Sequence, residues 1–206
     1  MSQARSKSPF EYTGGNAALN FADTVNNRTG AHPEDLFTDY GRLVQWAKES
    51  GVIAPRTAER LLRLAAEAPG HAQSVLRQAL QLREAIYDLF VAIVHHRGIP
   101  STALAQVNAA AQHGAAHTRI ATTHRRFAWE WIQPESHLDS ILWPVAQAAA
   151  DLLTSEELVH VRQCASETCA WLFLDKTKNH RRRWCEMKTC GNRDKARRYY
   201  QRQKAG

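Results

Sequence analysis

Cysteine is missing from the first 163 residues of this 206-residue chain; all four cysteines fall in its last quarter. Thiol chemistry is thereby confined to one C-terminal segment. No run approaches the ~20 consecutive apolar residues of a membrane span. The nearest, Ile86 to Val94, is interrupted by Asp88 and reads as a buried helix face. No N-terminal stretch joins a basic start to an apolar run and a cleavage site, Met1 to Pro9 being short and polar. The chain is therefore expected to be cytoplasmic, in a reducing compartment where paired cysteines more often hold metal than form disulfides. There is no glycine-rich phosphate loop, no nucleophile elbow and no His-Glu-x-x-His pair. His113, His117, His124 and His137 are scattered without metal spacing, and His95-His96 suits a helix C-terminus. An enzyme is not expected.

Acidic residues are scarce in one place only. From His160 to Gly206 there are 13 Lys and Arg against 4 Asp and Glu, a net +9, whereas the rest of the chain carries a net −2. A near-neutral body followed by a basic module suggests a polyanionic partner. The apolar fraction of 44% permits a real core, so wholesale disorder is excluded.

Helical periodicity dominates the body. Helices are expected over Ala17 to Val25, from an Asp39 cap through Lys48 to Gly51, and from Pro55 with Ala58, Leu61, Leu62 and Ala65 as the inner stripe. The longest runs from about His71 to His96 and stops at Gly98; a shorter one follows from Ser101 to Ala111. Between His117 and Gln133 the period changes to two, as in a β-hairpin. Leu138 to Leu153 returns to helix, with Pro144 kinking it or marking its true start. Thr154-Ser155-Glu156-Glu157 matches a capping box leading into the cysteine segment. The fold class is mainly α with a small β-hairpin (α+β), divided into a body over 1–158 and a C-terminal finger over 159–206.

Cys164, Cys169, Cys185 and Cys190 form a C-x4-C-x15-C-x4-C pattern. Zinc takes four ligands tetrahedrally, with thiolates as structural donors, and two close pairs on a loop supply them. Four protein ligands would close the site and leave no position for catalysis. Two disulfides, an iron–sulfur cluster and four unrelated buried cysteines remain open as alternatives. Trp171 to Leu174 suits a strand, Arg181 to Trp184 an antiparallel return, and a helix begins near Gly191 or Asn192. Knuckle, hairpin, knuckle, helix is the order of a treble-clef finger. On the final helix, Ala196, Tyr199 and Gln203 would pack inward, leaving basic stripes outside.

Arg181, Arg182, Arg183, Lys188, Arg193, Lys195, Arg197 and Arg198 are the candidate nucleic-acid contacts. A four-thiolate zinc site carries charge −2, so some of these cations, Arg193 first, would serve the metal site by bonding back to the knuckle. The surplus favours a nucleic acid. An adaptor whose finger binds an acidic protein, or an RNA-binding protein, is the alternative. A single finger makes few base contacts, so a homodimer is expected. Trp129, Trp131, Trp143, Phe127 and Phe21 are either core or the lining of a pocket between hairpin and helices.

Cys190-Gly191-Asn192-Arg193, with Trp171-Leu172-Phe173-Leu174-Asp175, Arg182-Arg183-Trp184-Cys185 and Met187, resembles the CGNR zinc fingers. Gly15 to Thr24 and Leu142 to Leu153 resemble the opening and last helix of the ABATE domain that usually precedes that finger. At Leu19-Asn20-Phe21-Ala22-Asp23-Thr24 this chain has Asn20 for the usual Asp and Asp23 for the usual Asn. The resemblance implies a stress-responsive transcription regulator with the finger as its DNA-binding part. It also implies a small-molecule effector site at Asn16, Asn20, Asp23, Thr24 and Arg28, residues that by type alone suit capping a helix end equally well.

Overall fold

Residues 8–123 and 126–204 are described by the structure, a computed structural model; His124 lies outside them. They form seven α-helices and three two-stranded antiparallel sheets, a mainly helical fold with small β additions. Helix α1 (Ala17–Ala22) opens on Asn16, whose side chain accepts from the Ala18 amide. It stops short of the sequence expectation. Val25 leaves the helix and joins strand β1 (Val25–Asn26), which pairs with β2 (Glu34–Asp35). Four of the six α1 residues are buried, and the helix is the hub of the core.

Helices α2 (Tyr40–Glu49) and α3 (Pro55–Glu67) begin as their sequences dictate. Asp39 caps the first by accepting from the Arg42 amide, Gly51 follows it in the left-handed region at φ 76°, and Pro55 opens the second. In α3, Ala58 and Leu61 are buried, but Leu62 faces solvent, which narrows the expected stripe. Helix α4 (Pro69–Val94) ends earlier than Gly98. His96 adopts φ 51°, its amide reaches the Ile93 carbonyl and the Arg97 amide reaches Ala92. This paired bonding satisfies the last carbonyls without glycine.

Helix α5 (Ser101–Ala115) runs one turn further than its sequence suggested and crosses α6 (Leu142–Leu153) at Gly114. A Cβ there would lie 3.2 Å from the Trp143 backbone, so glycine permits the close approach. A 3-10 turn (Leu138–Ile141) leads into α6 and places Pro144 in the helix's first turn, so it marks the start and causes no kink. Between α5 and α6 lies the expected hairpin, β3 (Thr118–Thr123) and β4 (Arg126–Trp131), paired Thr118 to Trp131 and Ile120 to Trp129.

The core gathers α1, α2, α4 and α6 around the rings of Phe10, Phe21, Phe37 and Trp46, with Phe21 and Trp46 centroids 5.1 Å apart. Phe21 is thus core and not part of a pocket with the hairpin tryptophans. Thr154 and Ser155 do not build a capping box. Their hydroxyls bond back to Ala150 and Leu152 of α6. Strand β5 (Val161–Gln163) follows and pairs with β6 (Leu172–Leu174). Val161, Leu172 and Leu174 belong to the same core as the helices, so the finger is not a separately packed module.

Candidate metal centre and nucleic-acid interface

The four cysteines come together. Their sulfurs all lie within 4.8 Å of one another and all four residues are buried. Cys185 Sγ is 3.6 Å from both Cys169 Sγ and Cys190 Sγ. A disulfide needs about 2.05 Å, so these are free thiols. Four sulfurs at ~2.3 Å from one tetrahedral zinc would sit about 3.8 Å apart, close to the 3.6 Å of these two pairs. A multi-iron cluster spreads its thiolates around several metal atoms and holds them further apart. The donor set therefore fits one structural zinc ion. Among the described residues no other group of His, Cys, Asp and Glu side chains meets the geometry of a metal site.

Electrostatics agree. Hydrogen bonds from Cys169 and Cys185 push the Cys164 thiol down, while bonding with Cys164 pushes Cys185 up. Thiols this close must share protons or a cation, and a divalent ion relieves the conflict.

Backbone bonds brace both cysteine loops. The Cys164 amide donates to Trp171, the Cys169 amide to Ser166 and the Gly191 amide to Glu186. Phe173, Trp171 and Trp184 pack beside the sulfurs. The hairpin of the expected treble-clef order, Trp171 to Leu174 with Arg181 to Trp184, is absent among the described residues. Strand β6 pairs backward with β5, and Arg181 to Trp184 form no strand; only the Ala165 amide bonds to the Arg183 carbonyl. A π-type turn (Met187–Gly191) leads into α7 (Asn192–Lys204).

The candidate basic residues separate by environment. Arg182 turns inward over the Phe173 ring at 4.4 Å, and its guanidinium donates to the carbonyls of Trp184 and Cys185. Arg193 Nη1 donates to Thr168 Oγ1 at 3.0 Å, tying α7 to the first cysteine loop. Arg197 pairs with Glu167 and Asp194, and Arg198 with Asp194 at 2.7 Å. Arg181, Arg183, Lys188, Lys195 and Arg202 are exposed and make no ion pair among the described residues. Lys195, Arg198, Tyr199 and Arg202 surround a surface groove of about 270 Å³. Ala196, Tyr199 and Gln203 do not pack toward the metal. All three are exposed, because α7 meets the body of the finger mainly through the turn before it.

Asp175 is an organising residue that the basic pattern concealed. Burial alone would raise its carboxyl, but bonds from Thr177 and the Arg182 amide hold it below the usual carboxylate range. Its sequence signal was the end of the apolar run Trp171 to Leu174, where a charge has no reason to be unless it is paired.

The five candidate ligand residues all have internal partners. Asn16 caps α1, Asn20 Oδ1 accepts from the Gly14 amide, and Thr24 Oγ1 donates to Phe21. Asp23 Oδ1 accepts from the Leu172 amide at 2.8 Å. Arg28 donates to Glu84 and to the Ala22 carbonyl and lies over the Tyr87 ring. Nor are the histidines scattered. The rings of His113, His117 and His137 surround Trp143, with His117 stacked on it at 4.2 Å. Asp139 Oδ2 accepts from Trp143 Nε1 and contacts His113 Nε2 at 2.6 Å. A helix period and a hairpin, invisible in linear spacing, bring them together.

No curated protein matches the sequence. No helix in the described residues is long and apolar enough to cross a membrane. Two family models do match. The CGNR zinc finger covers residues 160–203, in agreement with the four-cysteine geometry. The ABATE model, described as "Putative stress-induced transcription regulator", covers residues 15–156, more than half of the chain. The chain therefore belongs to the ABATE family and carries a CGNR zinc finger at its C-terminal end.

Proposed function

We propose that this protein is a DNA-binding transcription regulator whose finger, folded around zinc, presents α7 to a duplex. The observation that carries the reading is the exposure of α7 beyond its first turn, with Lys195, Arg198 and Arg202 grouped on one side. A helix held on one side through Arg193 and Arg197 and cationic on its open side suits a groove flanked by phosphates. Arg181, Arg183 and Lys188 add cations from the finger's loops. Arg182 and Arg193 act on the finger itself, one bracing the second cysteine loop and the other joining the first to α7. Zinc, when bound, contributes on the order of 10–16 kcal/mol of apparent binding energy to folding the finger.

The body is the sensing part. Its effector site is the cavity of about 550 Å³ among α4, α5 and the start of α6, lined by Gln78, Gln81, Gln106, His113 and Asp139. No lysine or arginine lines it, which favours a neutral polar molecule over a phosphate or carboxylate. A ligand there would reach the finger through α4, whose Tyr87 bonds to Ala170 and Gln163.

The exposed Tyr199 and Tyr200 also suit stacking on single-stranded bases, which keeps RNA as the second reading. Binding of the zinc-loaded chain to duplex DNA, RNA and heparin across a salt series decides between them. Preference for duplex DNA supports the proposal. Equal binding to all three, or preference for RNA, rejects it.

A further inference from the structure

The β3–β4 hairpin wears its apolar face outward. Cross-strand register places Thr118 opposite Trp131, Ile120 opposite Trp129 and Thr122 opposite Phe127, and residues two apart share a face. That face is therefore Thr118, Ile120, Thr122, Phe127, Trp129 and Trp131. The reverse face carries the Arg119–Glu130 ion pair with Ala121 and Ala128. In a half-buried sheet the apolar face meets the core. Here Phe127 is 78% exposed, Trp129 72% and Ile120 61%. Among the described residues no third strand joins this sheet, and an isolated hairpin is marginal in water.

The same face has a protruding end and a recessed end. Near the root, Thr118, Trp129, Glu130 and Trp131, with Ala115 of α5 and Gln147 and Asp151 of α6, line a groove of about 620 Å³. Toward the tip, Ile120 and Phe127 project into solvent. A surface that carries both a knob and a hole can close on itself by a two-fold axis, each copy filling the other.

The area is sufficient. With aromatic side chains burying ~150–250 Å² each, this face offers on the order of 500 Å² per copy, so two copies reach about 1,000 Å², the threshold of a specific interface. A contiguous apolar patch of this size on a chain otherwise rich in charge marks a contact site.

We infer that the hairpin face is a homodimer interface: two copies lie antiparallel across each other, tip over root, with Phe127 of each entering the Trp129–Trp131 groove of the other. The inference gives a surface to the expectation that two fingers act together and rests on the proposed DNA reading only for its purpose.

Light scattering or sedimentation of the zinc-loaded full chain, without nucleic acid, tests it. At tens of micromolar the wild type should have twice its 23.2 kDa chain mass. Phe127→Thr and Ile120→Thr keep strand propensity at exposed positions. Each should weaken association by about tenfold or more, and together they should leave a monomer of unchanged far-UV circular dichroism and metal content. Hydrogen exchange needs no variant: amides of residues 126–131 should slow as wild-type concentration rises. A monomeric wild type, a dimer that survives the double substitution, or exchange in 126–131 that ignores concentration would each overturn the assignment. Failure to bind DNA would leave it standing, since no measurement here contains DNA.

Discussion

Trp171 Nε1 donates a hydrogen bond to the Val25 carbonyl at 2.8 Å, joining a residue between the cysteine pairs to the strand that follows α1. Three further bonds cross the same seam: Asp23 to the Leu172 amide, Thr29 to the Glu167 carbonyl and the Leu174 amide to Gly14. Leu172 and Leu174 lie in the core shared with the helices. The metal site and the body therefore share one core and one hydrogen-bonded seam.

Loss of the metal should be felt by the helices. In a finger packed on its own, serine at Cys169 would unfold the finger and spare the body. With Val161, Leu172 and Leu174 in the common core, and ~1.5–3 kcal/mol for each buried aliphatic side chain, Cys169→Ser or chelation should cost the helical fold about 3 kcal/mol or more. For a chain of this length that lowers Tm by roughly 6–12 °C. Far-UV circular dichroism checks it; an unchanged helical melt in zinc-free protein would restore two independent modules.

Trp171→Phe keeps most of the ring and removes the indole N–H. The Val25 carbonyl, in a buried residue, then loses its donor, at a cost of about 1–2 kcal/mol. Thermal melting should show a single transition shifted down, with zinc content unchanged. A zinc-deficient variant with an unshifted melt would contradict this placement of the indole.

Asp23 gives the fold an inverted pH response. Burial drives its carboxyl well above the usual range, against the Leu172 amide and Arg28, and its Oδ2 has no partner in the described structure. The unfolded chain titrates it near the ordinary value of about 3.9. Between that value and the raised native one, the folded state holds a proton that the unfolded state has lost, so this group's contribution falls as pH rises. Asp35 and Glu84, held below the usual range despite partial burial by bonds from Arg83 and Arg28, act oppositely and lose their contribution as pH falls. Asp23→Asn should raise Tm at neutral pH by a few degrees, about 1–2 kcal/mol, and leave it unchanged below about pH 4. An equal gain at both pH values would show that the carboxyl is not the titrating group.

The basic residues should divide in a salt titration. About five phosphate contacts give log K against log[salt] a slope of roughly −4 to −5. Lys195→Gln and Arg202→Gln should each make it shallower by about 1 without changing Tm. Arg182→Gln should leave the slope alone and cost stability, about 1–3 kcal/mol, because the Trp184 and Cys185 carbonyls lose their donor. A reduced slope with an unchanged melt for Arg182→Gln would reassign it to the interface.

Much of this was legible because it is local. Asp39, Gly51 and Pro55 mark helix ends through the backbone groups beside them, and the period of two between Thr118 and Trp131 makes a hairpin whatever surrounds it. The spacing of the four cysteines points to a four-thiol site, since a short loop between two thiols brings their sulfurs together, but only the sulfur distances separate one zinc from disulfides or a cluster.

What the sequence by itself determined, then, was the inventory: a mainly helical body, four thiol ligands and a basic final helix. Tertiary structure decided what each charge and aromatic ring faces. Arg182 and Arg198 look alike in a chain, yet one braces carbonyls under the finger and the other lines a groove on α7. Phe21 and Phe127 are equally apolar, yet one is sealed among rings and the other stands in water. Periodicity assigns a residue to a face of its own element. Only the packing of elements far apart in sequence determines whether that face meets a core, a metal site or solvent.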